Sequence, residues 1–342
     1  VRIDMGGLAG RVLRQVLGEA GIGVALVALS AFFLVAADNF GTEQNIRNIM
    51  TQITLNTVLA VGLTFVILVG GIDLSVGSVM ALCAVVSGEM MRGSGSVLTI
   101  LGGIVVAMAI GALCGLVNGF VSERWVVPSF IVTLAMLNIA RGAAERYTNA
   151  ATIYDLPSGL NDFGVQTLLG VPAVFWVAVL LTAAGWFVLT RTVFGRLIYA
   201  TGDNEEAVRL SGHRTSLIKI AAFMIAGLCA GVAALLYMAR LNIASPILGQ
   251  GYELNAIAAV VIGGASLMGG RGSMIGTFLG ACLLGVLTDG LLLMGVSDFE
   301  RQIITGVVIL VAVVLDAYRR RLGDRIALSR PAQTITVEPV KA

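Results

Sequence analysis

Val97-Leu-Thr-Ile-Leu-Gly-Gly-Ile-Val-Val-Ala-Met-Ala-Ile-Gly-Ala-Leu-Cys-Gly-Leu-Val-Asn-Gly-Phe-Val121 runs for 25 residues without an acidic or basic side chain. About 20 apolar residues wound into a helix span the hydrocarbon core of a bilayer. A helix apolar around its whole circumference belongs in a large core or in lipid, and the rest of the chain decides for lipid. Of its 342 residues, 57% are hydrophobic and 12% charged, whereas a soluble domain carries about 25% charged residues. The 43 glycines agree: glycine weakens a helix, but in lipid small residues let helix backbones approach closely. The chain is an integral membrane protein of the all-α class.

Working outward, ten stretches read as spans: 20–37, 51–70, 74–88, 97–121, 125–140, 171–190, 220–239, 254–270, 273–293 and 302–318. The third, fifth and eighth are short, and Pro128 interrupts the fifth. Short or broken spans in transporters line cavities, where irregular backbone finds partners. Of the 22 Lys and Arg residues, 16 fall on one side if ten helices cross from a cytoplasmic N-terminus. That bias predicts both termini inside. The expected organisation is a cytosolic segment 1–19, a transmembrane domain 20–318 with an inner loop 191–219, and a disordered cytosolic tail 319–342. The outer loop 143–170 is either a docking surface or a linker.

Several chemistries are missing from the sequence. The only lysines are Lys219 and Lys341, and neither follows a glycine-rich phosphate loop, so no nucleotide site is expected. His213 is the only histidine, and no nucleophile stands beside a base, so neither a metal nor a catalytic site is expected. Cys83, Cys114, Cys229 and Cys282 sit in apolar runs without zinc-ligand spacing and read as small apolar packers. A net charge of +2 gives no reason to expect nucleic acid. Within the ten stretches the only carboxylates are Asp289 and Asp316, near helix ends. Mid-span carboxylates mark ion and proton pathways, so a neutral solute driven by energy from elsewhere is expected.

Uncharged polar groups do occur inside: Thr54, Asn56, Thr57, Thr64, Asn118, Thr133, Asn138 and Asn255. Either they bond neighbouring helices or they offer a polyhydroxylated molecule its partners. For the path we single out Asn56, Thr57, Asn118, Thr133, Asn138 and Asn255. Gly70-Gly71-Ile72-Asp73-Leu74-Ser75-Val76-Gly77-Ser78 joins two spans with almost no loop. It reads as a tight turn in which Asp73 caps the next helix. Gly263-Gly264-Ala265-Ser266-Leu267, followed by Gly269, Gly270 and Gly272-Ser273, returns a similar pattern about 193 residues later. This is a weak sign of a two-fold internal repeat.

The inner loop carries Ala200-Thr-Gly-Asp-Asn-Glu-Glu-Ala-Val-Arg-Leu-Ser-Gly212. Asn204 is placed to cap a short helix from Glu205 to Leu210, acidic at its start and with Arg209 near its end, as the macrodipole favours. Gly212 ends it. Such a helix suits a peg for another protein, or alternatively lies on lipid headgroups.

Four stretches resemble the permease subunits of bacterial ABC importers for monosaccharides, the ribose-permease family. They are Ala60–Ser78, Gly195–Gly212, Gly251-Tyr-Glu-Leu-Asn-Ala-Ile-Ala-Ala-Val-Val-Ile-Gly-Gly264, and Gly269–Ser273 with Gly276-Thr277. The resemblance runs from about residue 38 to 316. It implies a multi-pass protein of the inner membrane, with no cofactor of its own. It also implies a second permease subunit, two cytosolic ABC ATPases that bind the ATP, an extracytoplasmic sugar-binding protein and a neutral sugar or polyol as cargo. It makes Gly202, Asn204, Glu205, Glu206, Ala207, Arg209, Leu210, Ser211 and Gly212 the ATPase-coupling segment. Asn255, where the family pattern has Asp, and His213, where it has an aliphatic residue, are departures. A secondary carrier for a similar solute is the competing reading.

Overall fold

The computed structural model describes the backbone of residues 5–311 and 314, and side chains from Ala20 onward. The expected tail 319–342, Asp316 and the side chains of 1–19 lie outside the described residues. Among the described residues the regular structure is helical, apart from one hairpin of two-residue strands, β1 (Thr167–Leu168) and β2 (Val171–Pro172), and an isolated bridge between Ile153 and Ala244.

A helix forms at each of the ten stretches: α1 (Met5–Ala36), α2 (Glu43–Leu68), α3 (Val76–Met91), α4 (Val97–Trp125), α5 (Ser129–Thr148), α7 (Ala173–Arg191), α10 (Thr215–Leu241), α11 (Tyr252–Ile262), α12 (Met274–Leu293) and α13 (298–311). Of these, α2, α4, α7, α10 and α12 are long and apolar enough to cross a membrane. Three further helices are α6 (Ser158–Val165), α8 (Val193–Asp203) and α9 (Glu205–Leu210).

Three expectations about local structure need correction. Of the stretch 254–270 only 254–262 is helical, as part of the 11-residue α11, because Gly263-Gly264 ends the helix. The inner loop 191–219 is mostly helix: α8, α9 and the first turn of α10, which starts at Thr215 and not near 220. The outer segment 143–170 likewise holds the end of α5, then α6 and β1. Helix α1 runs without a break from Met5 to Ala36.

Helix α2 is the axis of the bundle. Its most apolar window is 83% buried, against 22% for those of α4 and α7, which turn most of their surface outward from the bundle. Glycine sets the tightest seam. Gly111 and Gly115 on α4 face Gly227 and Phe223 on α10, and a β-carbon on either α4 glycine would overlap the opposing carbonyl. Ala107 faces Gly231 in the same way. This small-residue spacing of four brings backbones together where lipid supplies no hydrophobic drive. The four cysteines are free, Cys83 and Cys229 being buried and Cys114 and Cys282 half-buried.

Candidate functional site

The first site is the break between α2 and α3. Gly70 N–H donates to Ile67 O and Gly71 N–H to Val66 O, both at 2.9 Å, with Gly70 at φ +78°. This paired closure satisfies the last carbonyls of a helix, and it needs a left-handed residue that glycine supplies freely. Helix α11 ends identically: Gly264 N–H donates to Val261 O at 2.9 Å and Ala265 N–H to Val260 O at 3.1 Å. Conformationally, Gly70 therefore matches Gly264, one residue later than the glycine-pair alignment predicts.

Asp73 is only 2% exposed and does not cap α3 as expected. Its Oδ1 accepts from Ser75 N at 2.8 Å and from Ser75 Oγ at 2.6 Å, while Ser75 itself is the N-cap. Asn118 on α4 donates to Ser75 Oγ at 2.9 Å. Thr133 Oγ1 on α5 accepts from Leu74 N and donates to Ile72 O, both at 3.2 Å. Ser129 Oγ accepts from Ile72 N at 3.0 Å. Thr133 and Ser129 thus satisfy a backbone that leaves its helix inside protein, as buried polar groups require, while Asn118 serves the Ser75 hydroxyl. At Gly77 a side chain would collide with the Gly249 carbonyl and the Glu253 carboxylate.

The remaining polar residues do not gather with them. Asn56 Oδ1 and Thr57 Oγ1 are buried on α2 without a protein partner. Asn138 is exposed on α5 and donates to Leu134 O at 3.0 Å. Asn255 is half-buried on α11.

The second site lies at one end of the bundle. Gly270 N–H donates to Leu68 O at 2.9 Å, and Gly202 of α8 presses its bare Cα against both of those groups. Tyr199 Oη donates to Gly272 O at 2.9 Å. Gly269, Gly270 and Gly272 therefore meet the Gly70 turn and the C-terminus of α8 at one junction. Past it, α9 has the boundaries read from the sequence. Asn204 Oδ1 accepts from Ala207 N at 3.0 Å, and Gly212, at φ +85°, closes the helix with Gly212 N–H on Arg209 O. Glu206 pairs with Arg209 at 2.6 Å. Asn204, Glu206, Ala207, Arg209, Leu210, Ser211 and Gly212 are exposed, and Gly202 is half-buried. A groove of about 400 Å³ between α8 and α9 is lined by Leu197, Ala200, Asn204, Ala207 and His213, among others.

Sequence reasoning missed Ser129, Tyr199, Glu123 and Lys219. Lys219 Nζ on α10 lies 3.2 Å from Glu123 Oε1 on α4 and 2.5 Å from Glu205 Oε2 on α9. Only the oddity of a lone lysine entering an apolar helix could have marked it.

An apolar bundle with a satisfied break inside it and a capped helix displayed at one end is the build of a transport protein's membrane subunit. A family profile described as branched-chain amino acid transport system / permease component matches residues 45–313, and the chain belongs to that permease family. It is 42% identical over 300 residues to the ribose import permease of Escherichia coli (strain K12), covering 86% of this chain and 92% of that protein. It is 40% identical over 304 residues to the ribose import permease of Bacillus subtilis (strain 168), covering 88% and 93%. To the fructose import permease of Rhizobium meliloti it is 35% identical over 309 residues, covering 88% and 85%. No solved structure matches the chain.

Proposed function

We propose that this chain is the membrane permease subunit of an ATP-driven importer for a neutral sugar or polyol, multi-pass in a bacterial inner membrane. The relatives named for ribose and fructose import support the cargo class. In this reading the ten apolar stretches cross, the eighth as the short α11 together with the broken segment after it, both termini face the cytoplasm, and α2–α3 and α11–α12 form the two halves of an internal repeat. The chain carries no catalysis of its own. It works with a second permease, two ATPases that bind the ATP, and an extracytoplasmic sugar-binding protein.

The observation that carries the mechanism is α9: exposed, capped at both ends and flanked by a groove, it presents a rigid peg to an ATPase. Motion of the peg passes through the Gly202–Gly270–Leu68 junction to the breaks after α2 and α11. Among the polar residues, Asn56 Oδ1 and Thr57 Oγ1 are best able to meet a sugar hydroxyl, with Asn138 and Asn255 as further groups on the route. Asn118 and Thr133 act on the turn.

The test is uptake of D-ribose by proteoliposomes holding the complete complex. Uptake should require internal ATP and persist when a protonophore collapses the proton gradient. Uptake lost with the gradient while ATP stays high would overturn the reading and favour a secondary carrier.

A further inference from the structure

We infer that Lys219 is a positioning residue that fastens the cytosolic helix α9 to the bundle through a three-point ion lock, Glu123–Lys219–Glu205. The inference rests on the proposed role of α9 only for its consequence in transport; the lock itself rests on geometry.

Lys219 sits in the second turn of α10, which begins at Thr215, Glu123 in the last turn of α4 and Glu205 at the first position of α9. One ammonium thus reaches three separate helices. Among the described residues, the other ion pairs join positions three or four apart on the same segment and hold nothing together beyond it. Lys219 and Glu123 side chains are 20% and 16% exposed, so water screens this pair less than a surface pair. An ammonium suits the position: its three donors point in different directions and serve two carboxylates at once.

The neighbouring glutamates divide the work. Glu205 turns inward to Lys219, and Glu206 turns outward and closes on Arg209. Val208, three residues after Glu205, is the one buried residue of α9. A six-residue helix is not stable alone. The lock and Val208 therefore provide the side-chain attachment that fixes where α9 points. They tie it to α10 and α4, which the glycine seam already holds as a unit, so a push on α9 becomes a push on that pair.

The experiment uses the full chain in lipid nanodiscs, with its native cysteines replaced by alanine and a nitroxide on Ser211→Cys. Wild-type α9 should give an immobilised spectrum. Lys219→Gln and Glu205→Gln should each raise the mobile fraction about three- to tenfold, and the double variant should add little more. Lys219→Arg should restore most of the order. Glu206→Gln, which breaks only the pair internal to α9, should move it less than Lys219→Gln. Glu205→Gln changes no volume at a half-exposed position, so it remains informative if Lys219→Gln fails to fold. In the complete complex, the loosened variants should spend more ATP per D-ribose moved. Looser α9 with unchanged ATP use would uphold the lock and count against α9 as the coupling element. Unchanged mobility in both Lys219→Gln and Glu205→Gln would overturn the lock.

Discussion

Asn118 donates to the Ser75 hydroxyl at 2.9 Å, and that hydroxyl donates onward to Asp73 Oδ1 at 2.6 Å. The pair ties the last third of one helix to the point where another begins, and it keeps a buried carboxylate supplied with donors. No cation stands in this chain of bonds, so amide and hydroxyl dipoles do the work of solvation. A break in a membrane helix is tolerated only where protein or water satisfies it, and here α4 and α5 do so together.

Replacing Asn118 with leucine should therefore destabilise the protein by about 1–3 kcal/mol, the usual cost of leaving a buried polar group unpaired. Thermal unfolding in detergent and D-ribose uptake should fall together. Asn56→Leu should behave differently, because Asn56 Oδ1 has no protein partner to lose. Uptake should drop with little change in melting temperature. A normal rate of uptake for Asn56→Leu would remove that residue from the path.

Glycine positions give a sharper contrast. Gly111→Val places branched carbons against the Gly227 carbonyl, where overpacking costs about 1–3 kcal/mol or more. Folded yield and melting temperature should fall. Gly142→Ala on α5 meets nothing within 4 Å and should be neutral or slightly stabilising, since alanine favours helix. Equal melting of the two variants would show that the α4–α10 seam can spread without penalty.

How much of this was readable in the sequence depended on whether the signal was local. The bounds of α9 were legible because Asn204, the two glutamates, Arg209 and Gly212 are its own caps and charges. All ten apolar stretches contain helix for the same reason. Helix α8 was read as part of the inner loop, although Phe194, Leu197, Ile198 and Thr201 repeat at helical spacing. The run 254–270 looked continuous by composition, yet two glycines end α11 at Ile262 through hydrogen bonds that apolarity does not reveal. Asn118 and Thr133 were readable as buried polar residues, but their partner, a turn elsewhere in the chain, was not. Lys219 failed in the same way, since both of its carboxylates lie on other helices.

Thr64 on α2 and Thr277 on α12 are both wholly buried, with hydroxyls 2.9 Å apart. Each also lies within hydrogen-bond distance of a carbonyl of its own helix, Ala60 O and Ser273 O. With one hydrogen apiece, one hydroxyl donates across while the other donates to its own carbonyl, and neither is orphaned when the other is removed. Buried side-chain bonds between membrane helices average about 0.6 kcal/mol. A double-mutant cycle with Thr64→Val and Thr277→Val should return a coupling energy near that value, read from unfolding in detergent. A coupling beyond about 2 kcal/mol would mean that the pair carries more than packing.

Gly212 offers the most direct test of the cytosolic helix. Its φ of +85° lies in the left-handed region, and a β-carbon there would meet nothing within 4 Å. Any penalty for a side chain is therefore backbone strain and not collision. For an ordinary residue that strain is about 1–2 kcal/mol, and it is worse for a β-branched one. Gly212→Val should unwind the end of α9, and with it the alignment of Arg209 and Leu210. The variant should insert into the membrane normally yet bind the ATPase weakly. Gly212→Asn should stay close to wild type, because asparagine tolerates this conformation. Glu206→Arg supplies a second arm, since it reverses the ion pair with Arg209 and places a cation at a helix start, at a local cost of about 0.3–1 kcal/mol. That is too little to unfold a helical bundle, but enough to disturb a docking contact. Failure of both Gly212→Asn and Gly212→Val would place a partner surface directly against Gly212. Wild-type coupling in Gly212→Val and Glu206→Arg alike would leave α9 as a connector on lipid headgroups.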